Sequence, residues 1–312
     1  MGFAGFIAPL LSNGWGFYAH QQINKLSVFC LPPELFGFYK LHIDFISQHA
    51  VDPDKRRYQV KEEAVKHYID IDYYEQVLPL DTIPQRFMKA VEKFSKDTLF
   101  TYGIVPWNIT WVLKDLTEAF KNKDEKRILK LSAEIGHYIG DAHVPLHTTS
   151  NYNGQTTQQH GIHGFLESRL PELFAGDYNF FMGKAVYIDD PLRAAWQAVE
   201  GSFACLDSVF GFEKQLQGSF KENQRYSFEP KGRNLIKVYS AAYAKAYHQK
   251  LNGMIERRMQ LAVICVASFW YTAWINAGQP DLSKLINSEK LILESDADTL
   301  LSINQKMIGR EE

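Results

Sequence analysis

The chain has 312 residues, 46% of them hydrophobic and 22% charged, which is ample apolar material for a large core in one or two domains. A formal net charge of -2 leaves no basic or acidic excess to advertise a polyanionic partner, and the short run Lys55-Arg56-Arg57 reads as solvated surface. Three widely spaced cysteines, Cys30, Cys205 and Cys265, exclude a CxxC metal or redox motif; one disulfide is allowed, but small buried apolar roles fit them better.

In chain order, the first feature is an apolar run, Phe3–Leu11, followed by Ser12-Asn13-Gly14. Small residues one and three positions before a cut suit signal peptidase, so residues 1–14 read as a signal peptide and Trp15 as the new N-terminus, although no Lys or Arg precedes the run. This predicts a secreted or periplasmic protein. Apolar positions at three-to-four spacing then predict helices over 18–30, 33–49, 59–68, 84–99, 109–121, 125–142, 163–175, 190–208, 233–251 and 253–277. Turn residues separate them, at Asp52-Pro53-Asp54, Tyr152-Asn153-Gly154 and Gly278-Gln279-Pro280.

No sustained period-two alternation predicts a sheet, so the expected fold is all-α, a single multi-helix domain over 15–280 with a polar helical tail over 281–312. The run Leu261–Ala277 is shorter than the ~20 residues a spanning helix needs and reads as a buried terminal helix rather than a transmembrane segment. Residues 177–255 carry no recognisable motif.

Chemistry concentrates in the histidines. His137 and Asp141 lie four apart on one predicted helix, so their side chains leave from one face, one turn apart. His163 and Glu167 repeat that spacing on a later helix, and His147 follows Pro145, where the first helix ends or kinks. An imidazole and a carboxylate converging from one face make a zinc half-site. A single His-x3-acid pair is commonly a surface ion pair; two of them with a His between is a constellation. His42, His49, His143 and His248 have no such pattern, and His160 lies three positions before His163.

The segment His137-Tyr-Ile-Gly-Asp141-Ala-His-Val-Pro-Leu-His147 resembles the His-x3-Asp-x5-His signature of the zinc-dependent phospholipase C and single-strand-specific nuclease superfamily. Trp15-x4-His20 resembles that superfamily's processed N-terminus, at the cut inferred from residue size alone. The resemblance runs by motifs from Trp15 to about Glu167 and implies a trinuclear metal cleft with three zinc ions per chain. It assigns one ion to Asp52, His67, His137 and Asp141. A neighbouring ion takes the Trp15 amine and carbonyl, His20 and the other oxygen of Asp141; a third takes His147, His163 and Glu167. Asp52 is preferred to Asp54, two residues on, and Asp70 and Asp72 are candidates for orienting ligand imidazoles.

The implied chemistry is phosphodiester hydrolysis by a hydroxide bridging two ions, with Asp52 and Asp141 at the reacting centre. Two features favour a phospholipid substrate. The last ligand is Glu167, where the nucleases usually carry Asp, and residues 148–162 lack their Gly-Gly-Asn-type stretch. Single-stranded nucleic acid is the alternative substrate. A non-catalytic, zinc-stabilised binding protein is the alternative outside enzymes. The adjacent His-Asp pair of HD-type phosphohydrolases is absent, and only Glu134-Ile-Gly-His137 fits the di-iron pattern, which needs two.

Overall fold

A computed structural model describes residues 16–57, 59–231 and 234–286. The expected signal segment, Trp15 and most of the expected tail therefore lie outside the described residues. Of the described residues 68% are helical and 4% lie in strands, which agrees with the expected all-α class. The principal helices are α1 (Phe17–Ser27), α2 (Pro33–Leu41), α3 (Ile43–Gln48), α4 (Asp52–Arg56), α5 (Val105–Lys121), α6 (Glu125–Ala142), α7 (Pro191–Phe203), α8 (Leu206–Ser219), α9 (Ala241–Lys250) and α10 (Met254–Asn276). Shorter helical pieces span Ile71–Tyr74, Phe87–Phe94 and Lys96–Tyr102.

Helices α5 and α6 pack side by side, α7 and α10 cover them, and α1 lies between α10, α3 and α6. The core is aromatic. Tyr39 stacks on Trp270 with ring centroids 4.7 Å apart and bonds the Ser132 hydroxyl at 2.8 Å, while Trp270 Nε1 donates to the Ser132 carbonyl at 3.0 Å. α10 is long and apolar enough to cross a membrane by length and composition. Here it is mostly buried and supplies Met259, Val263, Phe269 and Trp270 to the core, and at 23 residues it is longer than the run Leu261–Ala277 that was read as too short to span.

α6 is the spine of the site. The Asp124 side chain caps it by accepting the Arg127 amide at 3.1 Å, and every residue from Ile135 to Ala142 is buried. Gly136 lets α1 approach: a Cβ there would lie 2.0 Å from Asn24 Oδ1, and Asn24 Nδ2 donates to the Ala133 carbonyl at 3.0 Å. The far end is held by Arg258 of α10, which donates to the carbonyls of His143 (2.9 Å) and Ala198 (2.8 Å) and to Ser202 Oγ (2.6 Å). Ser202 Oγ in turn donates to the Ala142 carbonyl at 2.7 Å. A buried cation therefore neutralises the carbonyl-rich C-terminus of α6 just after Asp141.

Four stretches differ from expectation. Residues 59–68 form only a tight turn, Ala64–Lys66, not a helix. The predicted helix over 84–99 is two helices, broken at Ser95 with φ 70°. α8 was not anticipated. The N-terminal part of the predicted helix 233–251 is a strand: β1 (Tyr226–Lys231) and β2 (Asn234–Tyr239) form an antiparallel hairpin, with α9 beginning at Ala241. β-branched Ile236 and Val238 and aromatic Tyr239 favour the extended backbone there. All three cysteines are free thiols.

The Arg258 node generates two predictions. Arg258→Met leaves buried carbonyls without a donor and should cost about 2–3 kcal/mol of unfolding free energy, read as a fall in denaturant midpoint at constant slope. Burial, aided by the Arg258 guanidinium, pushes the His143 imidazole down to about 3. Below pH ~6.5 the unfolded chain takes up a proton that the folded ring refuses, so stability is lost on acidification, at a limit of about 1.4 kcal/mol per pH unit. The stability difference between wild type and His143→Gln should therefore shrink as the pH falls from about 7 to about 5; a constant difference would contradict the assignment.

Candidate metal centre

Each motif residue arrives on a different piece of scaffold. His137 and Asp141 come from α6 and His20 from α1. Asp54 comes from α4, His67 from the residue after the Ala64–Lys66 turn, and His147 from the turn Pro145–Thr148. His163 and Glu167 lie on one helical run, Ile162–Phe174, whose middle, Phe165–Arg169, is π-helical. Pro171 has no amide hydrogen to give the Glu167 carbonyl four residues back. The Gly16 amide fills that role at 3.1 Å. Only glycine fits, because a Cβ on Gly16 would meet Ser168 Oγ at 2.3 Å.

Three donor clusters result, each within 4.8 Å: His20, His137 and Asp141; Asp54, His67 and His137; and His147, His163 and Glu167. All eight residues are buried. Around the second cluster His67 Nδ1 lies 2.9 Å from Asp141 Oδ2, 3.0 Å from His137 Nε2 and 3.7 Å from Asp54 Oδ1. His137 Nε2 lies 3.1 Å from Asp141 Oδ2 and 3.6 Å from Asp54 Oδ1. These separations straddle the ~3.3 Å edge of a tetrahedron whose centre lies ~2.0 Å from each vertex, the length of a zinc–imidazole bond. Asp141 Oδ1 turns the other way, 3.3 Å from His20 Nε2 and 3.8 Å from His147 Nδ1. In the third cluster Glu167 Oε1 is 2.9 Å from His163 Nε2 and 3.6 Å from His147 Nε2.

The protons are fixed from outside. His137 Nδ1–H donates to the Ala50 carbonyl (2.8 Å), His147 Nδ1–H to the His67 carbonyl (2.6 Å) and His163 Nδ1–H to the Tyr152 carbonyl (3.3 Å). In each neutral ring Nε2 then presents a lone pair toward a carboxylate, an arrangement that repels unless a cation lies between. Both oxygens of Asp54 and of Glu167, Oδ1 of Asp141 and Nε2 of His163 have no well-formed hydrogen bond despite complete burial. Such groups are costly without a compensating charge.

Electrostatics agree. Burial pushes the Asp141 carboxyl up, but His137 and His147 outweigh it and hold it well below the usual carboxylate range; for Glu167 burial also acts upward, and His163 and His147 outweigh it and lower the value. Burial holds His20 and His67 below the ordinary histidine value. For His137 burial acts in that direction too, but Asp141 and Asp54 outweigh it and raise the value. Ionised acids facing bare imidazole nitrogens fit divalent cations; imidazole donors suit zinc, copper, iron and nickel alike.

One expected ligand is displaced. Asp52 turns its carboxylate to His49 Nδ1 (2.6 Å) and Lys55 Nζ (2.8 Å), and Asp54 takes the position assigned to it. Asp72 orients no imidazole either; it accepts from Thr149 Oγ1 (2.8 Å) and from the Ser150 amide (2.9 Å) and hydroxyl (2.8 Å), which pins the chain just after His147. Glu63, absent from the sequence reading, faces His67 Nε2 at 3.8 Å and is tied to Tyr138, Arg56 and Lys66. Its signal was the His67-minus-four spacing. His42 and His248 sit outside the centre, beside Glu125 (3.3 Å) and Tyr178 Oη (2.7 Å). Trp15 lies outside the described residues.

The displacement is testable with metal-free protein titrated with zinc against a competing chelator. Asp54→Asn should weaken binding of one ion by more than the roughly 10–100-fold typical of a supporting residue, whereas Asp52→Asn should stay within about threefold of wild type. The reverse order would restore Asp52. No protein-family model and no curated protein matches this chain, so the reading of the three clusters rests on their geometry.

Proposed function

We propose that the protein is a zinc-dependent phosphodiester hydrolase of the phospholipase C type. The observation that supports this most directly is Asp141, whose Oδ2 faces His67 and His137 while its Oδ1 faces His20. A carboxylate so placed can hold two cations side by side. Asp54, His67, His137 and Asp141 would hold one ion, His20 and Asp141 a second, and His147, His163 and Glu167 a third. The resemblance adds the Trp15 amine and carbonyl to the second, with secretion and cleavage before Trp15 as part of the same proposal.

Bound zinc supplies a water acidified from a pKa of 15.7 to about 7 and positive charge for phosphoryl oxygens. The chain's own residues prepare that chemistry. The carbonyls of Ala50, His67 and Tyr152 accept the Nδ1 protons of three imidazoles and so turn each Nε2 toward the carboxylates. Asp54, Asp141 and Glu167 offset only half of the charge of three divalent ions, and the remainder suits an anionic phosphate. No serine, cysteine or other protein nucleophile is required.

Glu167 and the absence of a Gly-Gly-Asn-type stretch in 148–162 support a phospholipid substrate. The second reading, single-stranded nucleic acid, is favoured by the half-exposed Tyr73, which stacks on Tyr102 with centroids 3.5 Å apart. The chain beside that pair reaches the ligands, because the Asp70 amide donates to the Tyr102 carbonyl (2.7 Å) and the Ile69 amide to the His147 carbonyl (2.9 Å). Exposed aromatic faces are platforms for bases.

The test is hydrolysis of phosphatidylcholine, a short-chain soluble analogue, single-stranded DNA and RNA, before and after exhaustive chelation. Cleavage of both lipids, lost on chelation and restored by zinc, is expected. Cleavage of nucleic acid alone moves the protein to the nuclease reading. Metal binding with no hydrolysis leaves a zinc-stabilised binding protein, and full activity after chelation overturns the mechanism.

A further inference from the structure

The hairpin β1–β2 exposes apolar surface that the metal chemistry does not use. Its register pairs Phe228 with Lys237 and Pro230 with Leu235. Residues two apart on a strand and residues directly opposite share a face, so all four lie on one side of the ribbon. Phe228 is 71% exposed and Leu235 70% exposed, and Pro230 and Lys237 are exposed beside them. Single exposed hydrophobic residues are ordinary; two large ones on one face of a two-stranded ribbon form a patch.

The base of the same ribbon is anchored. Tyr239 stacks on Phe165 with centroids 3.9 Å apart, and Phe165 lies in sequence between His163 and Glu167. Arg169, two residues after Glu167, donates to the Glu229 carboxylate at 2.9 Å and to the Tyr239 carbonyl at 3.2 Å. The hairpin is thus rooted on the helix that carries the third donor cluster.

Charge sets the hairpin apart from the rest of the chain. Residues 221–237 hold five Lys or Arg and two Glu, in a chain whose net charge is -2. One of those two carboxylates, Glu229, is already engaged by Arg169. Lys237 keeps its ammonium on the apolar face, 3.9 Å from the Tyr226 ring centroid.

We propose that this face docks the protein on an anionic phospholipid surface, with Phe228 and Leu235 entering the headgroup–acyl boundary and Lys237, in a segment that is basic by sequence, meeting lipid phosphates. The proposal rests on the phospholipid reading of the metal centre. A bilayer suits this face better than a protein does. A ribbon two strands wide offers far less than the ~800 Å² per partner of a stable protein interface. Interfacial membrane binding needs only a few apolar side chains with cations beside them, and a lysine stem can lie along apolar surface while its head stays wet.

The experiment is brief sedimentation in the cold of metal-loaded protein with vesicles of phosphatidylcholine, with and without phosphatidylserine. Wild type should partition more strongly to the anionic vesicles. The double variant Phe228→Ser/Leu235→Ser should lose about tenfold in partitioning on both compositions, and Lys237→Glu should lose on the anionic one alone. Both should hydrolyse the soluble short-chain analogue within about twofold of wild type, since neither variant touches the donor clusters. A Phe228→Trp variant, whose emission should shift to the blue on adding vesicles, reports insertion without weakening the patch.

Wild type that fails to sediment, variants that sediment like wild type, or a wild-type dimer that the double variant dissolves would each overturn the docking role. Protein that sediments but cleaves no phosphodiester overturns the proposed activity and not the docking. Protein that cleaves both lipids without sedimenting overturns the docking alone.

Discussion

Asp54, Asp141 and Glu167 are ionisable acids sealed from water within reach of five imidazoles, and most of the described architecture exists to hold them there. Removing one carboxylate from water costs several kcal/mol unless an opposite charge is close. Here backbone carbonyls accept the Nδ1 protons of three of the rings and turn their Nε2 atoms toward the acids. The imidazoles hold Asp141 and Glu167 ionised, and a cation would add opposite charge where water does not reach. If the clusters hold metal as proposed, metal loading would be coupled to folding.

The residues that enforce this condition are mostly not donors. Gly136 and Asn24 bring α1 against α6, so that the His20 ring stacks on His137 with centroids 4.0 Å apart. Arg258 and Ser202 close the carbonyl end of α6 directly after Asp141. Pro171 frees the Glu167 carbonyl, and Gly16 takes it up, which draws the start of α1 onto the segment that carries the third cluster. Gly16 and Ser202 each satisfy a backbone carbonyl that helix geometry leaves without a donor beside the centre. Placing the donors and satisfying the backbone are the same act of folding.

What the sequence disclosed follows from how local each geometry is. The pairs His137/Asp141 and His163/Glu167 were legible because i,i+4 on a helix fixes direction without tertiary knowledge, and the π turn at Phe165–Arg169 did not disturb the second pair. The choice between Asp52 and Asp54 was not legible. Both flank Pro53 in a five-residue helix, and which one faces inward is decided by His49 and Lys55 capturing Asp52. α8 was hidden by Glu213, a buried acid on its inner face that accepts from Gln159 (2.6 Å) and Tyr243 (2.7 Å) and interrupts the apolar pattern. The hairpin was hidden because the doublets Leu235-Ile236 and Val238-Tyr239 break the alternation by which a strand is read. Residues 59–68 looked helical because Glu62, Glu63, Ala64 and Lys66 are good helix formers, yet the chain turns there and carries His67 inward.

On the proposed function, substrate choice is physically separable from the metal chemistry. The donor clusters would meet a phosphodiester as charge and oxygen atoms, features that a phospholipid and a nucleic acid share. Discrimination would then fall to groups that meet the rest of the molecule, and the two proposed above are rooted beside different donor residues. The Tyr73–Tyr102 stack is joined to the His67 and His147 segments through the amides of Asp70 and Ile69, and the apolar, cationic hairpin to the His163 and Glu167 helix through Phe165 and Arg169. Either can change by substitution on an exposed surface without moving a donor atom. If the proposed function holds, such a chain could exchange lipid for nucleic acid as substrate while its buried centre stays fixed, because the constraint that orders the centre ends where those surface groups begin.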